Sequence, residues 1–173
     1  MNNAVTIVRV SLNDANTLLE LSRKTFFDAF LSTNNPADME AYASTAFTLP
    51  KFQFELINPN SAFYFALVDN EIAGYIKLNY VDAQTELQDP DALEIERIYI
   101  LEAYQGQQIG KLLIDFAIQT AIRKNLKFIW LGVWEHNTKA IGFYKSKGFK
   151  QLGSHQFMLG NDEQTDILMK KEL

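Results

Sequence analysis

The distribution of hydrophobic and polar positions along the chain predicts short strands separated by helices. Segments in which apolar and polar residues alternate, or in which aromatic and branched residues concentrate, are typical of β-strands. Such segments cover residues 6–10, 62–68, 71–80, 92–100, 128–133, 150–155 and 166–171. Asp69 and Asn70 separate the second and third segments and therefore predict a β-hairpin.

Apolar residues that recur at three- and four-residue steps predict helices between these strands. Ser11, Asn13 and Asp14 offer N-caps for a first helix that ends near Phe30. The later predicted helices cover residues 37–47, 49–57, 107–124 and 137–147, and the polar segment 81–91 is expected to form a loop. Asn35 and Pro36 are typical of the cap and the first position of the second helix.

The helix predicted for residues 107–124 has a wide apolar face. Its apolar positions are Ile109, Leu112, Leu113, Phe116, Ala117 and Ala121. Its narrow polar stripe consists of Lys111, Asp115, Gln119 and Arg123. We therefore expect most of this helix to be buried, which would fix the direction of its N-terminus.

Strands and helices in mixed order favour an α+β fold with a mixed, mostly antiparallel central sheet flanked by helices. The strand-helix-strand unit 92–133 predicts one parallel strand pair within that sheet. The chain has 173 residues, of which 47% are hydrophobic and 21% are charged. This size and composition are typical of one folded domain, here residues 1–173.

Charge and composition argue against several classes of function. Lys and Arg number 16 and Asp and Glu number 21, so the net charge is −5, which argues against nonspecific nucleic-acid binding and fits a small cationic substrate better. Cysteine is absent, which excludes disulfides, thiolate metal sites and a cysteine nucleophile, and two histidines argue against a histidine-rich metal site. A basic leader and an apolar run of about 20 residues are both missing. We therefore expect a cytoplasmic protein.

The boundary between strand 92–100 and the helix that follows it is a candidate ligand site. The free N–H groups of a first helical turn and the positive end of the helix dipole bind anions such as phosphate. Gly106 and Gly110 have three residues between them, whereas a P-loop needs four, and Leu112 replaces the Ser or Thr that the P-loop requires. A dinucleotide-binding turn needs a third glycine, so that alternative fails as well.

The turn resembles instead the Q/R-x-x-G-x-G/A motif of the GCN5-related N-acetyltransferases. The matching residues are Gln105, Gly106, Gln107, Gln108, Ile109 and Gly110. Gln108 occupies the position of the family's middle glycine, and we expect it to have helical backbone angles, for which a Cβ carries no cost. The resemblance implies that the backbone from this turn to Lys111 clasps the pyrophosphate of acetyl-coenzyme A, the co-substrate. It also implies that Ile98, Tyr99 and Ile100 pair with the pantetheine arm like an added strand.

A second motif of this family, N-x-x-A-x-x-x-Y followed by G-F, matches Asn137, Ala140, Tyr144, Gly148 and Phe149. Asn137, Ala140 and Tyr144 share one helix face because they are three and four residues apart. The resemblance implies that Asn137 binds the pantetheine amide and that the Tyr144 hydroxyl reaches the sulfur, as the acid for the departing thiolate. The alternative is that Tyr144 packs as a core aromatic beside Phe143.

Acetyl transfer to an amine also requires a base, because an alkylamine with a pKa near ~10.4 is protonated at pH 7. Glu94 and Glu96 both qualify, since their alternation with Ile95 and Arg97 places the two carboxylates on one face of the strand. Glu94 lies where the histone-acetylating branch of the family has its base, and Glu96 could instead attract the cationic amine. The alternative for both is a solvent-facing pair without a chemical role.

Other charged residues have weaker assignments. The lysines that could reach the coenzyme phosphates, or simply lie on the surface, are Lys111, Lys139, Lys145 and Lys147. Acidic residues of the early helical region could draw a polyamine, but charged residues on exposed helices usually have no specific role. These residues are Asp28, Asp38 and Glu40.

The resemblance extends over nearly the whole chain. Segments 25–35, 46–56 and 58–79 are similar to the PaiA-type spermidine/spermine N-acetyltransferases of bacteria. This implies transfer of acetyl directly to a primary amine, above all a polyamine. The alternatives are acetylation of a protein N-terminus, a lysine or an antibiotic amine, and a non-catalytic coenzyme-A-binding regulatory module. We expect a small-molecule amine as partner, neither nucleic acid nor membrane, and we leave a homodimer open.

Overall fold

The computed structural model describes residues 4–173, whose strands form one seven-stranded sheet with the order β1-β2-β3-β4-β5-β7-β6. The strands are β1 (Val5–Arg9), β2 (Ser61–Val68), β3 (Glu71–Tyr80), β4 (Ala92–Ile100), β5 (Phe128–Trp134), β6 (Lys150–Leu159) and β7 (Asp162–Glu172). The α-helices are α1 (Ala15–Phe30), α2 (Pro36–Ala46), α3 (Leu49–Ile57), α4 (Ile109–Arg123) and α5 (Thr138–Ser146).

The predicted α+β fold is confirmed. β4 and β5 run parallel, joined by α4, and the other neighbouring strands of the sheet are antiparallel. Asn35 caps α2 as predicted, since the Ala37 N–H donates to Asn35 Oδ1 over 2.8 Å. In the predicted hairpin between β2 and β3, Asp69 and Asn70 have φ angles of 50° and 68°. Two left-handed residues in a two-residue turn match the right-handed twist of the flanking strands.

Two layers of helices cover the sheet. On one face α4 packs against β3 and β4, and Leu78, Leu93 and Leu113 belong to the core on this side. On the other face α1 and α3 cover a second core that includes Phe52 and Phe63. The two cores follow from the strand alternation, because successive residues of a strand point to opposite faces.

The buried face of α4 differs from the prediction. Leu112 is 40% exposed, whereas Ile114 and Thr120 are buried. The sheet contacts the row formed by Ile109, Leu113, Ala117 and Ala121, and Leu112 lies to one side of that row. Because α4 is apolar around most of its circumference, its sequence alone does not show which side of the helix faces the sheet.

The terminal hairpin is longer than predicted. β6 continues to Leu159 and β7 begins at Asp162, with Leu159 opposite Asp162 across a tight turn. Residues 156–165 do not alternate between apolar and polar side chains, so they present no hydrophobic face that would predict a strand. They form strands because β6 and β7 pair with each other here in the register of the hairpin. Among the described residues, no helix has the length and apolar character that a membrane crossing requires.

Candidate active site

The sheet opens between its two central strands. β4 and β5 are paired only from Ala92 opposite Phe128 to Ile95 opposite Leu131, although β4 continues to Ile100 and β5 to Trp134. Beyond Ile95 the edge of β4 that faces β5 therefore lacks a strand partner. An extended ligand chain could pair with the free backbone groups of this edge.

A cavity of about 1000 Å³ lies at this opening. One half is lined by the end of β4, the turn before α4 and one side of α5, and it includes the predicted residues Ile98, Tyr99, Ile100, Asn137, Ala140 and Tyr144. The other half is lined by α1, by the loop before β4 and by β5, β6 and β7. Glu94 and Glu96 also line the cavity and flank Ile95, where the pairing of β4 with β5 ends, so a ligand in each half could react at that point.

The turn before α4 has the features of an anion cradle. Gly106 has a φ of 79°, and a Cβ added at Gly106 or Gly110 would meet nothing within 4 Å. The first helical hydrogen bond of α4 runs from the Leu112 N–H to the Gln108 carbonyl over 3.1 Å, so the preceding N–H groups have no acceptor within the helix. The residues present therefore fit a pyrophosphate, which needs both the free donors and the open space above the glycines.

Gln108 differs from the sequence expectation. Its φ of 62° and ψ of 13° place it in the left-handed region rather than the helical one. A residue with a Cβ pays about 1–2 kcal/mol for this conformation, whereas glycine adopts it freely. The backbone path of the turn, and not only the space for a ligand, therefore favours a glycine at this position.

The six motif residues of the turn divide into two groups. The side chains or backbone of Gln105, Gly106, Gln108 and Gly110 line the cavity. Gln107 and Ile109 are outside that lining: the Gln107 side chain donates to the Ala103 carbonyl over 3.3 Å, and Ile109 is buried in the core. These two residues hold the turn in place.

The lysines are also divided. Lys111 and Lys139 line the cavity, and Lys111 lies 3.6 Å from Asp115. Lys147 is outside the cavity lining, with its Nζ 3.6 Å from the other oxygen of the Asp115 carboxylate. The geometry thus favours Lys111 and Lys139 over Lys147 as contacts for a bound phosphate.

Helix α5 presents Asn137 and Tyr144 to the same half of the cavity. Asn137 Oδ1 accepts from the Ala140 N–H over 3.2 Å and caps the helix, which leaves the side-chain NH₂ group available as a donor. Tyr144 packs against Phe143 and Phe149 and is 8% exposed. Burial raises the pKa of Tyr144 to about 12. The hydroxyl therefore carries its proton at neutral pH.

Asn79 joins the two candidate bases. Its Nδ2 donates to Glu94 Oε2 over 3.0 Å and to Glu96 Oε2 over 2.7 Å. Between β3 and β4, Lys77 pairs with Arg97 and Leu78 with Ile95, so Glu96 is an extra residue in a β-bulge. The sequence correctly places the two carboxylates together, but the bulge contributes to their positions.

The two carboxylates differ in their electrostatics. Burial alone would raise the pKa of Glu96, but Arg97 and Lys77 outweigh it and hold this pKa at about 2. Arg97 Nη2 lies 3.0 Å from Glu96 Oε1, and both cations also pair with Glu55. Glu96 is therefore a permanently charged member of a buried ion network.

Glu94 is 2% exposed, and burial raises its pKa above the ordinary 4.5 despite hydrogen bonds from the Thr85 hydroxyl, the Asn79 amide and the Thr85 N–H. A carboxylate with a raised pKa holds a proton more readily. Glu94 is consequently better suited than Glu96 to accept a proton and release it again.

The half of the cavity that is lined by α1, the loop before β4 and strands β5 to β7 contains several carboxylates, and we call it the acidic half. The sequence did not predict this half. Asp166 and His155 face each other across β6 and β7, and His155 Nδ1 lies 2.8 Å from Glu86 Oε1. Burial raises the pKa of Asp166 to about 6, which His155 partly counteracts. All three residues line the cavity. They come from segments far apart in the chain, so no local pattern connects them.

The early acidic residues lie in different places. Asp28 lines the cavity and pairs with Lys24 over 2.6 Å. Asp38 accepts from the Asn161 N–H, and Glu40 pairs with Arg23. No group of three or more His, Cys, Asp or Glu side chains suited to a metal ion occurs within the described part of the chain.

The left-handed conformation of Gln108 makes a prediction for stability. We expect Gln108→Val to lower the free energy of unfolding by about 1 kcal/mol or more, because a β-branched residue is strained at positive φ. The free energy of unfolding of Gln108→Gly should be equal to that of the wild type within about 0.5 kcal/mol, or higher. Glycine relieves the backbone strain in the folded state, and this offsets the larger conformational entropy that it gives the unfolded chain. Urea unfolding measures both variants. Equal unfolding midpoints for the valine variant and the wild type would contradict the assigned conformation.

Comparison with known proteins identifies the family. The model of the acetyltransferase (GNAT) family matches residues 17–149. An uncharacterized N-acetyltransferase of Lactobacillus delbrueckii subsp. lactis is 44% identical over 169 residues, which cover 98% of each chain. A spermidine N(1)-acetyltransferase of Thermoplasma acidophilum is 22% identical over 173 residues, again with 98% of each chain covered.

A solved structure supports the same fold. The crystal structure of PaiA N-acetyltransferase from Thermoplasma acidophilum in complex with coenzyme A superposes with a TM-score of 0.80 at 22% identity. The superposition covers 98% of this chain and 99% of that chain. With the family model and the Lactobacillus relative in agreement, the chain belongs to the GNAT family of N-acetyltransferases, whose co-substrate is acetyl-coenzyme A.

Proposed function

We propose that this protein transfers an acetyl group from acetyl-coenzyme A directly to a primary amine of a polyamine such as spermidine or spermine. The observation that carries the proposal is the acidic half of the cavity, where Glu86, Glu94, Glu96 and Asp166 adjoin the opening between β4 and β5. Carboxylates attract a polycation, and the net charge of −5 acts in the same direction. The relative named as a spermidine N(1)-acetyltransferase agrees with this substrate class.

In this proposal the first half of the cavity holds the coenzyme, which supplies an activated thioester. The N–H groups at the start of α4 bind the pyrophosphate, with Lys111 and Lys139 near enough to contact phosphate oxygens. The free edge formed by Ile98, Tyr99 and Ile100 pairs with the pantetheine arm. The side-chain NH₂ group of Asn137 donates to an amide carbonyl of that arm.

Glu94 and Tyr144 divide the proton transfers. Glu94 accepts a proton from the ammonium group of the acceptor, directly or through a water molecule, and so frees the nitrogen lone pair. The nitrogen forms the new C–N bond as the C–S bond breaks, and the Tyr144 hydroxyl gives its proton to the departing thiolate. The second proton that the nitrogen loses restores the Tyr144 hydroxyl through water, and Glu94 releases its proton to solvent. Glu96 remains charged and attracts the cationic acceptor. No covalent enzyme intermediate is required, in keeping with the absence of cysteine.

Other amines remain alternatives as acceptors: a protein N-terminus, a lysine side chain or an antibiotic. A coenzyme-A-binding regulatory module without turnover is the second candidate function. The observation in its favour is the Cβ of Gln108 in the cradle, where glycine is typical of the family.

A panel of amines tests the proposed function. Purified protein with acetyl-coenzyme A should release free thiol with spermidine and spermine, and more slowly with a lysine-containing peptide or an aminoglycoside. A thiol-reactive dye follows the release, and isothermal titration measures coenzyme binding in parallel. Tight coenzyme binding without thiol release on any amine would establish the regulatory module instead.

The assignment of Tyr144 as the acid predicts a selective loss of turnover. Tyr144→Phe should lower kcat by about 10²-fold or more, because one general acid contributes roughly 10²–10⁴-fold. The dissociation constant of the coenzyme should change little, since only a hydroxyl is removed. Tyr104→Phe removes a hydroxyl outside the cavity and serves as the matched control. If the variant instead lost coenzyme affinity with an unchanged kcat, Tyr144 would contribute to packing or binding and not to proton transfer.

The contrast between the two glutamates predicts different pH profiles. The ionised form of Glu94 is the active base, so kcat at saturating acceptor should fall as pH decreases through the raised pKa of Glu94. Glu94→Gln should remove this acidic limb and lower kcat/KM by about 10²–10⁴-fold. Glu96→Gln should keep the limb but destabilise the fold by about 3–5 kcal/mol, because it leaves buried cations uncompensated. An unchanged limb in Glu94→Gln would exclude Glu94 as the base.

A further inference from the structure

The floor of the acidic half is one face of the sheet around β5. Glu94 lies opposite Trp130, Leu168 opposite Gly132, and Asp166 opposite Trp134. Alternate residues of a strand share a face, so these residues all point to the same side. They all line the cavity.

Gly132 contributes no side chain to this floor and lies under the side chains of Asp166 and Leu168. It is exposed although β5 lies inside the sheet, and its neighbours Leu131 and Val133 are buried against the opposite core. A Cβ at Gly132 would lie 3.5 Å from Asp166 Oδ2, so the carboxylate extends over the glycine. Gly132 is one strand spacing from β4 and two residues along β5 from Trp130, the partner of Glu94, so a path of roughly 8 Å separates the backbone of Glu94 from the Asp166 carboxylate above Gly132.

The Asp166 carboxylate has no ion pair or hydrogen bond with any of residues 4–173. The histidine that faces it is already engaged, because His155 Nδ1 pairs with Glu86. A half-buried carboxylate without a partner loses hydration without compensation. A bound cation would restore that lost free energy.

Aromatic rings form the wall beside Asp166. Trp134 contacts Phe30 edge to face with ring centroids 5.8 Å apart, and both residues line the cavity. The Trp134 indole N–H is held by Gln164, which fixes the ring. Aromatic faces beside a carboxylate favour an alkylammonium group, which combines charge with an apolar chain.

We propose that Asp166 binds a second, non-acetylated ammonium group of the acceptor and so determines specificity for amines with at least two positive charges. The proposal rests on the proposed acetyl transfer to amines. In this arrangement the reacting nitrogen lies near Glu94, the carbon chain runs along β5 toward Gly132, and the distal ammonium pairs with Asp166 beside Trp134.

Steady-state kinetics with matched acceptors test this assignment. For the wild type, KM should be at least tenfold lower for 1,4-diaminobutane than for butylamine, which differs by one ammonium group. Asp166→Asn should raise KM for 1,4-diaminobutane and spermidine about tenfold or more, while kcat and the KM for butylamine change little. Asp69→Asn, in the β2–β3 turn where asparagine tolerates a positive φ, is the matched control and should leave every value unchanged.

The outcomes separate the two proposals. Absence of thiol release with every amine would refute the proposed function itself. Acetylation with equal KM for butylamine and 1,4-diaminobutane in the wild type would overturn the role of Asp166, and this measurement needs no variant. An equal effect of Asp166→Asn on both acceptors would do the same.

Discussion

The divergence of β4 and β5 after Ile95 and Leu131 is the constraint on which the rest of the site depends. Each strand keeps its outer partner: β4 stays paired with β3 as far as Ile100, and β5 stays paired with β7 as far as Trp134. The sheet therefore divides into two halves without losing hydrogen bonds on its outer sides. The opening creates a free strand edge and a cavity at the same place, so the coenzyme and the acceptor can approach one point.

Buried charge fixes the acidic wall of this opening. Glu96 is held by Lys77 and Arg97, and Glu55 on α3 completes the network. Glu94 lies outside this network and accepts hydrogen bonds from Asn79 and Thr85 instead. The pKa values of two carboxylates that are two residues apart therefore shift in opposite directions. Environment, rather than residue type, separates the proposed base from the permanent charge.

The turn before α4 shows how a ligand site and backbone strain coincide. Gln108 adopts a left-handed conformation at the start of a helix that Leu113, Ala117 and Ala121 anchor in the core. The anchored helix overcomes the local preference of Gln108, since a strain of about 1–2 kcal/mol is small against the burial of several apolar side chains. The free N–H groups of the first turn consequently keep their direction.

The sequence by itself determined the order of strands and helices, the parallel pair, the glycine turn and the helix face with Asn137 and Tyr144. These features depend on residues close together in the chain, where periodicity and spacing are informative. Only the tertiary structure decided the left-handed backbone angles of Gln108, the bulge at Glu96, the exposure of the Leu112 side chain on α4 and the position of Lys147 outside the cavity. It alone brought Glu86, His155 and Asp166 together, because pairing between distant strands is set by the register of the sheet and leaves no local pattern in the sequence.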